Sequence, residues 1–142
     1  MKKAGLQIIF LLGILLIIPL ISAEIMINSQ PKEIYNLGDV ISIPITIKTI
    51  SPITGIFNVD LLCGTAQINF FKNGISLAAG EEKRMEASLI LTKSVIGSTI
   101  GSCKIKAYLG ETYVLTNDFK ISNLMNIEAN FEFSEFFPEE NI

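Results

Sequence analysis

Beyond residue 23 the apolar positions recur every second residue. In residues 40–48, Ile41, Ile43, Ile45 and Ile47 fall on one side and Ser42, Pro44, Thr46 and Lys48 on the other, the alternation of a strand with one face in a core. A helical winding would scatter the four isoleucines around its circumference. The pattern recurs in Phe57, Val59, Leu61 and Cys63 against Asn58, Asp60 and Leu62. It recurs again in Met85, Ala87, Leu89 and Leu91 after a charged start at Glu81-Glu82-Lys83-Arg84. A fourth such face comprises Cys103, Ile105, Ala107 and Leu109, with Ser102, Lys104, Lys106 and Tyr108 outward. Shorter strands are predicted over residues 25–29, 67–72, 113–122 and 126–133.

Turn signals separate these runs: Asn36-Leu37-Gly38-Asp39, Ser51-Pro52 with Gly55, Asn73-Gly74, Ala79-Gly80-Glu81, residues 97–101, and Gly110-Glu111. Their spacing is that of a sandwich or barrel of short strands. No stretch of a dozen residues reads as an amphipathic helix, and residues 80–91 alternate better with period two. Pro44 cannot donate to a ladder, so its strand is expected to lie at an edge or to bulge there.

The segment before these strands has a different logic. Lys2 and Lys3 precede a run from residue 4 to residue 23 without a single charge, the order of a secretory signal. Pro19 breaks the helix near its end, and Ile21-Ser22-Ala23 sets a small residue before Glu24, so cleavage is expected between Ala23 and Glu24. Retention as an anchor is the alternative, since about 20 uncharged residues suffice to cross a bilayer. Lys2-Lys3-Ala4-Gly5 before an apolar run also resembles the processing site of type IV pilins. However, no glutamate follows at the fifth mature position and strand-like sequence begins almost at once.

Composition then narrows the function. The chain has 142 residues, a net charge of −3 and no histidine, so the commonest general base and metal ligand near neutral pH is absent. Cleavage would leave 142 − 23 = 119 residues and, by removing Lys2 and Lys3, a charge of −3 − 2 = −5. An acidic chain argues against nucleic acid as a partner. The two cysteines of an exported chain face an oxidising compartment. Both stand on apolar faces of predicted strands, so a Cys63–Cys103 disulfide is expected, with no metal role, because no CxxC spacing is present.

Residues 33–43, Glu33-Ile34-Tyr35-Asn36-Leu37-Gly38-Asp39-Val40-Ile41-Ser42-Ile43, resemble the opening of immunoglobulin-like and macroglobulin-type β-sandwich domains of extracellular proteins, in which a Tyr-x-x-Gly-Asp turn feeds an alternating strand. The strand rhythm extends the resemblance over residues 25–122. It implies an all-β, Ig-like antiparallel β-sandwich of about seven strands, preceded by an apolar signal helix, with adhesion, recognition or spacer roles. No core tryptophan follows the first cysteine, and Gly101 stands where antibody-type domains carry their corner tyrosine. The resemblance is therefore to the broad architecture. Tyr35 reads as a core or turn-packing residue.

Candidate chemistry is sparse. Asp39, Asp60 and Asp118 lack the spacing of a single-loop calcium site, and no nucleophile elbow occurs. Glu81 to Arg84 read as a solvated turn of mixed charge. The expected organisation is a signal peptide at 1–23, the sandwich at 24–122, and an acidic, Phe-rich segment at 123–142 that is either one more strand or the start of a second, similar domain. The expected function is a secreted or cell-surface, non-catalytic module for adhesion or spacing, without cofactor, catalytic residue or metal, whose partner is a protein or glycan. It would meet a membrane only through an uncleaved leader. The alternatives are a pilin-like filament subunit or a non-catalytic accessory domain of an extracellular enzyme. N-terminal sequencing of the exported protein is expected to begin at Glu24; an intact Met1 in the membrane fraction would indicate an anchor.

Overall fold

The computed structural model describes residues 23–97 and 99–125. The expected signal helix, the strand at 126–133 and the Phe-rich end lie outside the described residues. Nine strands follow one another: β1 (Ala23–Ile27), β2 (Ile34–Leu37), β3 (Val40–Thr49), β4 (Ile53–Cys63), β5 (Ala66–Leu77), β6 (Glu82–Ile90), then a single helical turn α1 (Lys93–Ile96), β7 (Gly101–Leu109), β8 (Thr112–Leu115) and β9 (Phe119–Met125). Among the described residues no helix is long and apolar enough to cross a membrane.

The strands form two sheets, one of three strands in the order β1-β3-β6, the other of six in the order β2-β9-β7-β4-β5 with β8 also on β7. Alternation supplies the core between them. Ile41, Ile43, Ile45 and Ile47 of β3 face Phe57, Val59 and Leu61 of β4 and Ile105 and Ala107 of β7, all fully buried. Burying each of the larger side chains contributes roughly 1.5–3 kcal/mol.

Two expectations about strand number and direction are corrected. Nine strands stand where about seven were expected, because β2 is a four-residue strand hidden in the Tyr-x-x-Gly-Asp turn and because residues 113–122 divide into β8 and β9. The division occurs at Thr116, which is buried. Its hydroxyl accepts the Ile105 amide at 2.9 Å and its own amide donates to the Ile105 carbonyl at 3.0 Å. Thr116 thus fills the gap on the edge of β7 between the stretch paired by β8 and the stretch paired by β9. The sandwich is also not wholly antiparallel: β2 runs parallel to β9, since the chain leaves the three-stranded sheet after β1 and crosses to the other before turning into β3.

The turn expected at Asn73-Gly74 is not one. Both residues sit inside β5, opposite Phe57 and Ile56 of β4. The reversal occurs instead at Gly64-Thr65, where Cys63 pairs with Ala66 and Gly64 has φ 58°. A two-residue hairpin with glycine in its first central position matches the twist of its strands, and Gly110-Glu111 repeats that solution between β7 and β8. The Asn36-to-Asp39 turn forms as expected: the Asp39 amide donates to the Asn36 carbonyl at 3.1 Å, and the Asp39 carboxylate accepts the Asn36 amide at 3.0 Å. Pro44 lies on the central strand of its sheet, yet β1 pairs only with residues 45–49. The Asn28 amide donates to the Pro44 carbonyl at 2.9 Å, and the bond that would return from Pro44 is missing, so β1 pairing stops there. Pro44 is therefore at an edge on one side only.

Cys63 and Cys103 are direct partners across β4 and β7, with Cα atoms 4.2 Å apart and a disulfide between them. Such separations occur at the non-hydrogen-bonded pairs of an antiparallel ladder. The bridge closes the end of the central ladder beside the Gly64-Thr65 hairpin, and both residues are buried. Replacing both cysteines with alanine is expected to lower the unfolding free energy by about 4 kcal/mol in denaturant titrations, on the chain-entropy estimate for a loop of roughly 40 residues. In the intact protein neither sulfur should react with an alkylating reagent before unfolding and reduction.

Candidate functional site

With the odd-numbered residues of β4 and β7 committed to the core, the even-numbered ones define the outer face of the six-stranded sheet. Register aligns them in cross-strand rows. Lys72, Asn58, Tyr108 and Tyr113 form one, spanning β5, β4, β7 and β8; Asn69, Asp60, Lys106 and Leu115 form the next; Gln67, Leu62 and Lys104 form the third. Rows lie roughly 7 Å apart and neighbouring strands about 4.8 Å apart.

Asp60 is the centre of this face. It lies on the outer side of the sheet yet is only 1% exposed, and a buried carboxylate requires compensation. The Gln67 amide donates to one oxygen at 2.5 Å and the Asn69 amide to the other at 2.6 Å, while the Tyr108 hydroxyl also donates to the carboxylate. Lys106, directly opposite, sends its ammonium elsewhere, to 5.1 Å from the Tyr108 ring centre and 5.0 Å from that of Tyr113, within the range of cation–π attraction. The charge of Asp60 is thus met by oriented dipoles.

The register explains why these groups converge. Between Val59 and Asp60 the β4–β5 pairing shifts: Val59 faces Phe71 whereas Asp60 faces Asn69. The one extra residue, Phe70, is a β-bulge in β5, a feature that re-aims side chains. Without the shift, residue 70 and not Asn69 would stand opposite Asp60.

Desolvation raises the ionisation of Tyr108 above its ordinary value, and the negative charge of Asp60 and the hydrogen bond to it act in the same direction. Because the folded state holds this proton more tightly, the associated stability is complete below the ordinary tyrosine value of about 10 and is lost as pH rises through the higher folded value.

The other residues singled out in the sequence do not join this cluster. Tyr35 is buried, with its ring edge-on to Phe119 at 5.5 Å and its hydroxyl accepting the Lys32 amide at 3.2 Å, as a packing residue would be. Asp39 holds its own turn, and Asp118 lies 3.6 Å from Lys104. The three aspartates therefore do not come together, and among the described residues no group of three His, Cys, Asp or Glu side chains is placed to hold a metal ion. Glu81 accepts the Ala78 amide at 2.7 Å and Glu82 meets Arg84 at 2.9 Å, a solvated turn of mixed charge. Ala23 and Glu24, the expected cleavage point, lie in β1, with Ala23 buried opposite Thr49 and Glu24 exposed opposite Lys48. Gln67, Asn69, Lys106, Tyr108 and Tyr113 carry no motif. The one local signal is a charged aspartate among Val59, Leu61 and Leu62 in the middle of a strand, where aspartate is disfavoured.

No family model and no curated protein sequence matches the chain. Among solved structures, the fold is similar to part of a β-glucosidase from Listeria innocua crystallised with glucose, with a TM-score of 0.57 and 20% identity over 72% of this chain and 16% of that one. It is also similar to part of the Pseudomonas fluorescens alkylpurine DNA glycosylase AlkC bound to DNA containing an abasic site analog, with a TM-score of 0.57 and 15% identity over 70% of this chain and 30% of that one. The β-glucosidase EmGH1 from Erythrobacter marinus gives a TM-score of 0.55 at 11% identity, over 71% of this chain and 15% of that one. The chain spans less than a third of each of these proteins, and the likeness is one of fold.

Asp60→Asn places an amide N–H against the donors of Gln67 or Asn69. The expected cost is about 2 kcal/mol, the range for losing a hydrogen bond to a buried charged group, measurable by denaturant titration. In an absorbance-monitored alkaline titration the same variant should lower the ionisation of Tyr108 without returning it to its ordinary value, because desolvation, the largest cause, persists. An unchanged titration would mean that the carboxylate has no influence on the phenol.

Proposed function

We propose that the chain is a secreted or cell-surface, immunoglobulin-like module that binds or spaces other molecules without catalysis, with the outer face of the six-stranded sheet as its binding surface. The observation that carries this reading is the organised cluster around Asp60. A sheet face that serves only solubility needs scattered solvated groups, whereas this one immobilises two amides, a phenol and an ammonium around one buried carboxylate. Tyr113, 59% exposed, extends the cluster outward. A satisfied network of this kind is rigid, and rigidity suits a recognition surface.

The Ig-like assignment is supported by two features: β2 and β9 pair in parallel at one edge while β1 stays with the opposite sheet, and the Tyr35-to-Asp39 turn feeds β3. Its departure from antibody-type domains is the disulfide, which joins neighbouring strands of one sheet where those domains link the two sheets. Export is supported by that same disulfide, since such bonds persist in oxidising compartments.

A second reading, a non-catalytic accessory domain of a larger extracellular enzyme, is favoured by the structural neighbours, in which the corresponding region is 15–16% of each glucosidase. The pilin-like alternative calls for an unbroken helix over residues 5–30, and the strand β1 at Ala23–Ile27 weighs against it.

The test is binding by the full chain to an array of glycans and extracellular proteins, comparing wild type with Tyr113→Ala and with Ser88→Ala on the opposite sheet. Tyr113→Ala is expected to weaken the signals severalfold while Ser88→Ala retains them. Signals unaffected by Tyr113→Ala would overturn the assignment of this face.

A further inference from the structure

We infer that the ligand of this face is an anionic polysaccharide, a chain of uronate-bearing sugars. The inference rests on the reading of the face as a binding surface and adds the class of ligand.

Charge is the first ground. The strands present Lys72, Lys104, Lys106 and Lys120 on this outer face, each flanked in sequence by inward-facing neighbours. The one acidic strand residue among them is Asp60, which is buried under Gln67, Asn69 and Tyr108. Asp118, at the margin, is occupied by Lys104 at 3.6 Å, an exposed pair. The opposite sheet carries Glu24, Glu82 and Glu86 on its outer positions, with Lys48 and Arg84 among them. An otherwise acidic chain therefore turns a cationic face outward on the six-stranded sheet, which attracts an anionic partner and repels a cationic one.

The second ground is the kind of contact offered. Tyr108 and Tyr113 stand side by side in one row, offering ring faces to the C–H face of a sugar. Asn58, Gln67 and Asn69 offer amides to hydroxyls, and the last two are held in fixed orientation because one N–H of each is committed to Asp60. Lys106, poised between the two rings, meets carboxylates directly, and Lys104, one row away, does so by exchanging its exposed partner Asp118. Rings, amides and ammonium groups recur across a flat face in rows roughly 7 Å apart, so an extended polymer meets each type in turn. A peptide would instead seek a sheet edge or side-chain pockets. A single-stranded nucleic acid also suits lysines and aromatic rings, but the disulfide places the chain where polysaccharides are the prevalent anionic polymers, and the fixed amides suit hydroxyl-rich rings.

The experiment is isothermal titration of the full chain with polygalacturonate and alginate, with neutral dextran and oligothymidylate as comparisons, at low and high salt. Polygalacturonate or alginate should bind at low salt and weaken as salt rises. Lys106→Met should raise Kd roughly tenfold, the loss of one charge-assisted contact, and Tyr113→Ala roughly fivefold, while Arg84→Gln on the other sheet changes nothing. Circular dichroism melts establish that each variant folds, and Lys104→Met supplies a second variant should Lys106→Met unfold. Dextran binding equal to polygalacturonate would overturn the anionic class yet leave the face as a binding surface. Oligothymidylate binding as tightly would overturn the saccharide class. The absence of binding to both polyuronates overturns the inference, whereas the array result for Tyr113→Ala decides the broader reading separately.

Discussion

Everything in this sandwich depends on the register of β4 against β7. Seven residues of each strand pair in order, from Phe57 with Leu109 to Cys63 with Cys103, and the period of two divides them without remainder into core and surface. A slip of β4 by one residue would bring Asp60 inward and turn Phe57 and Leu61 out, and a slip of β7 would do the same with Lys106 and Ile105. Both ends of the ladder guard against it. The disulfide joins one terminal pair covalently, and at the other end the terminal pair, Phe57 and Leu109, is held in the core. At that second end the packing is close: a Cβ placed on Gly55 would meet the Leu109 side chain at 3.0 Å, so the glycine there fits β4 to the layer beneath it.

Given that register, Asp60 must be outward, but its burial is a separate matter. The carboxylate is covered from β5, whose bulge advances Asn69 and Gln67 over it, and from β7, which supplies Tyr108. Neutralisation by dipoles rather than by a salt bridge leaves Lys106 available to the tyrosine rings. Had the lysine paired with Asp60, the two charges would have cancelled at the surface and the face would present no cation in its middle row. The amides, by contrast, meet the carboxylate without consuming any positive charge, so a buried anion and an exposed cation coexist within one row of the sheet.

The legibility of the chain follows the range of the interactions involved. The strands β3, β4, β6 and β7 announce themselves because their inward residues are predominantly apolar and mostly aliphatic, with Thr49 at the end of β3 and Lys83 at the start of β6 as exceptions. Asn73-Gly74 has the local chemistry of a hairpin, yet β4 runs alongside and holds both residues in the ladder; tertiary pairing outweighs turn preference. The four residues of β2 carry too little pattern to be seen, and their pairing is with β9, more than 80 residues away. Thr116 divides residues 113–122 only because Ile105 needs partners for its backbone. The disulfide was readable from two cysteines on apolar faces. The Asp60 cluster was not, since it is assembled from β4, β5 and β7 and turns on a bulge that no single segment encodes.

The start of the sandwich bears on the proposed export. Ala23 is buried against Thr49, and Glu24 lies opposite Lys48, an oppositely charged cross-strand pair. In the proposed export, cleavage between Ala23 and Glu24 would precede the docking of β1 on β3, because a peptidase takes its substrate in an extended, unpaired form. Loss of Ala23 removes only the terminal pair of that short ladder, and the pairing from Glu24 to Ile27 survives intact. The missing return bond at Pro44 keeps β1 short at its other end as well. A ladder of so few pairs opens readily, whereas the β4–β7 ladder carries seven pairs and ends in a disulfide.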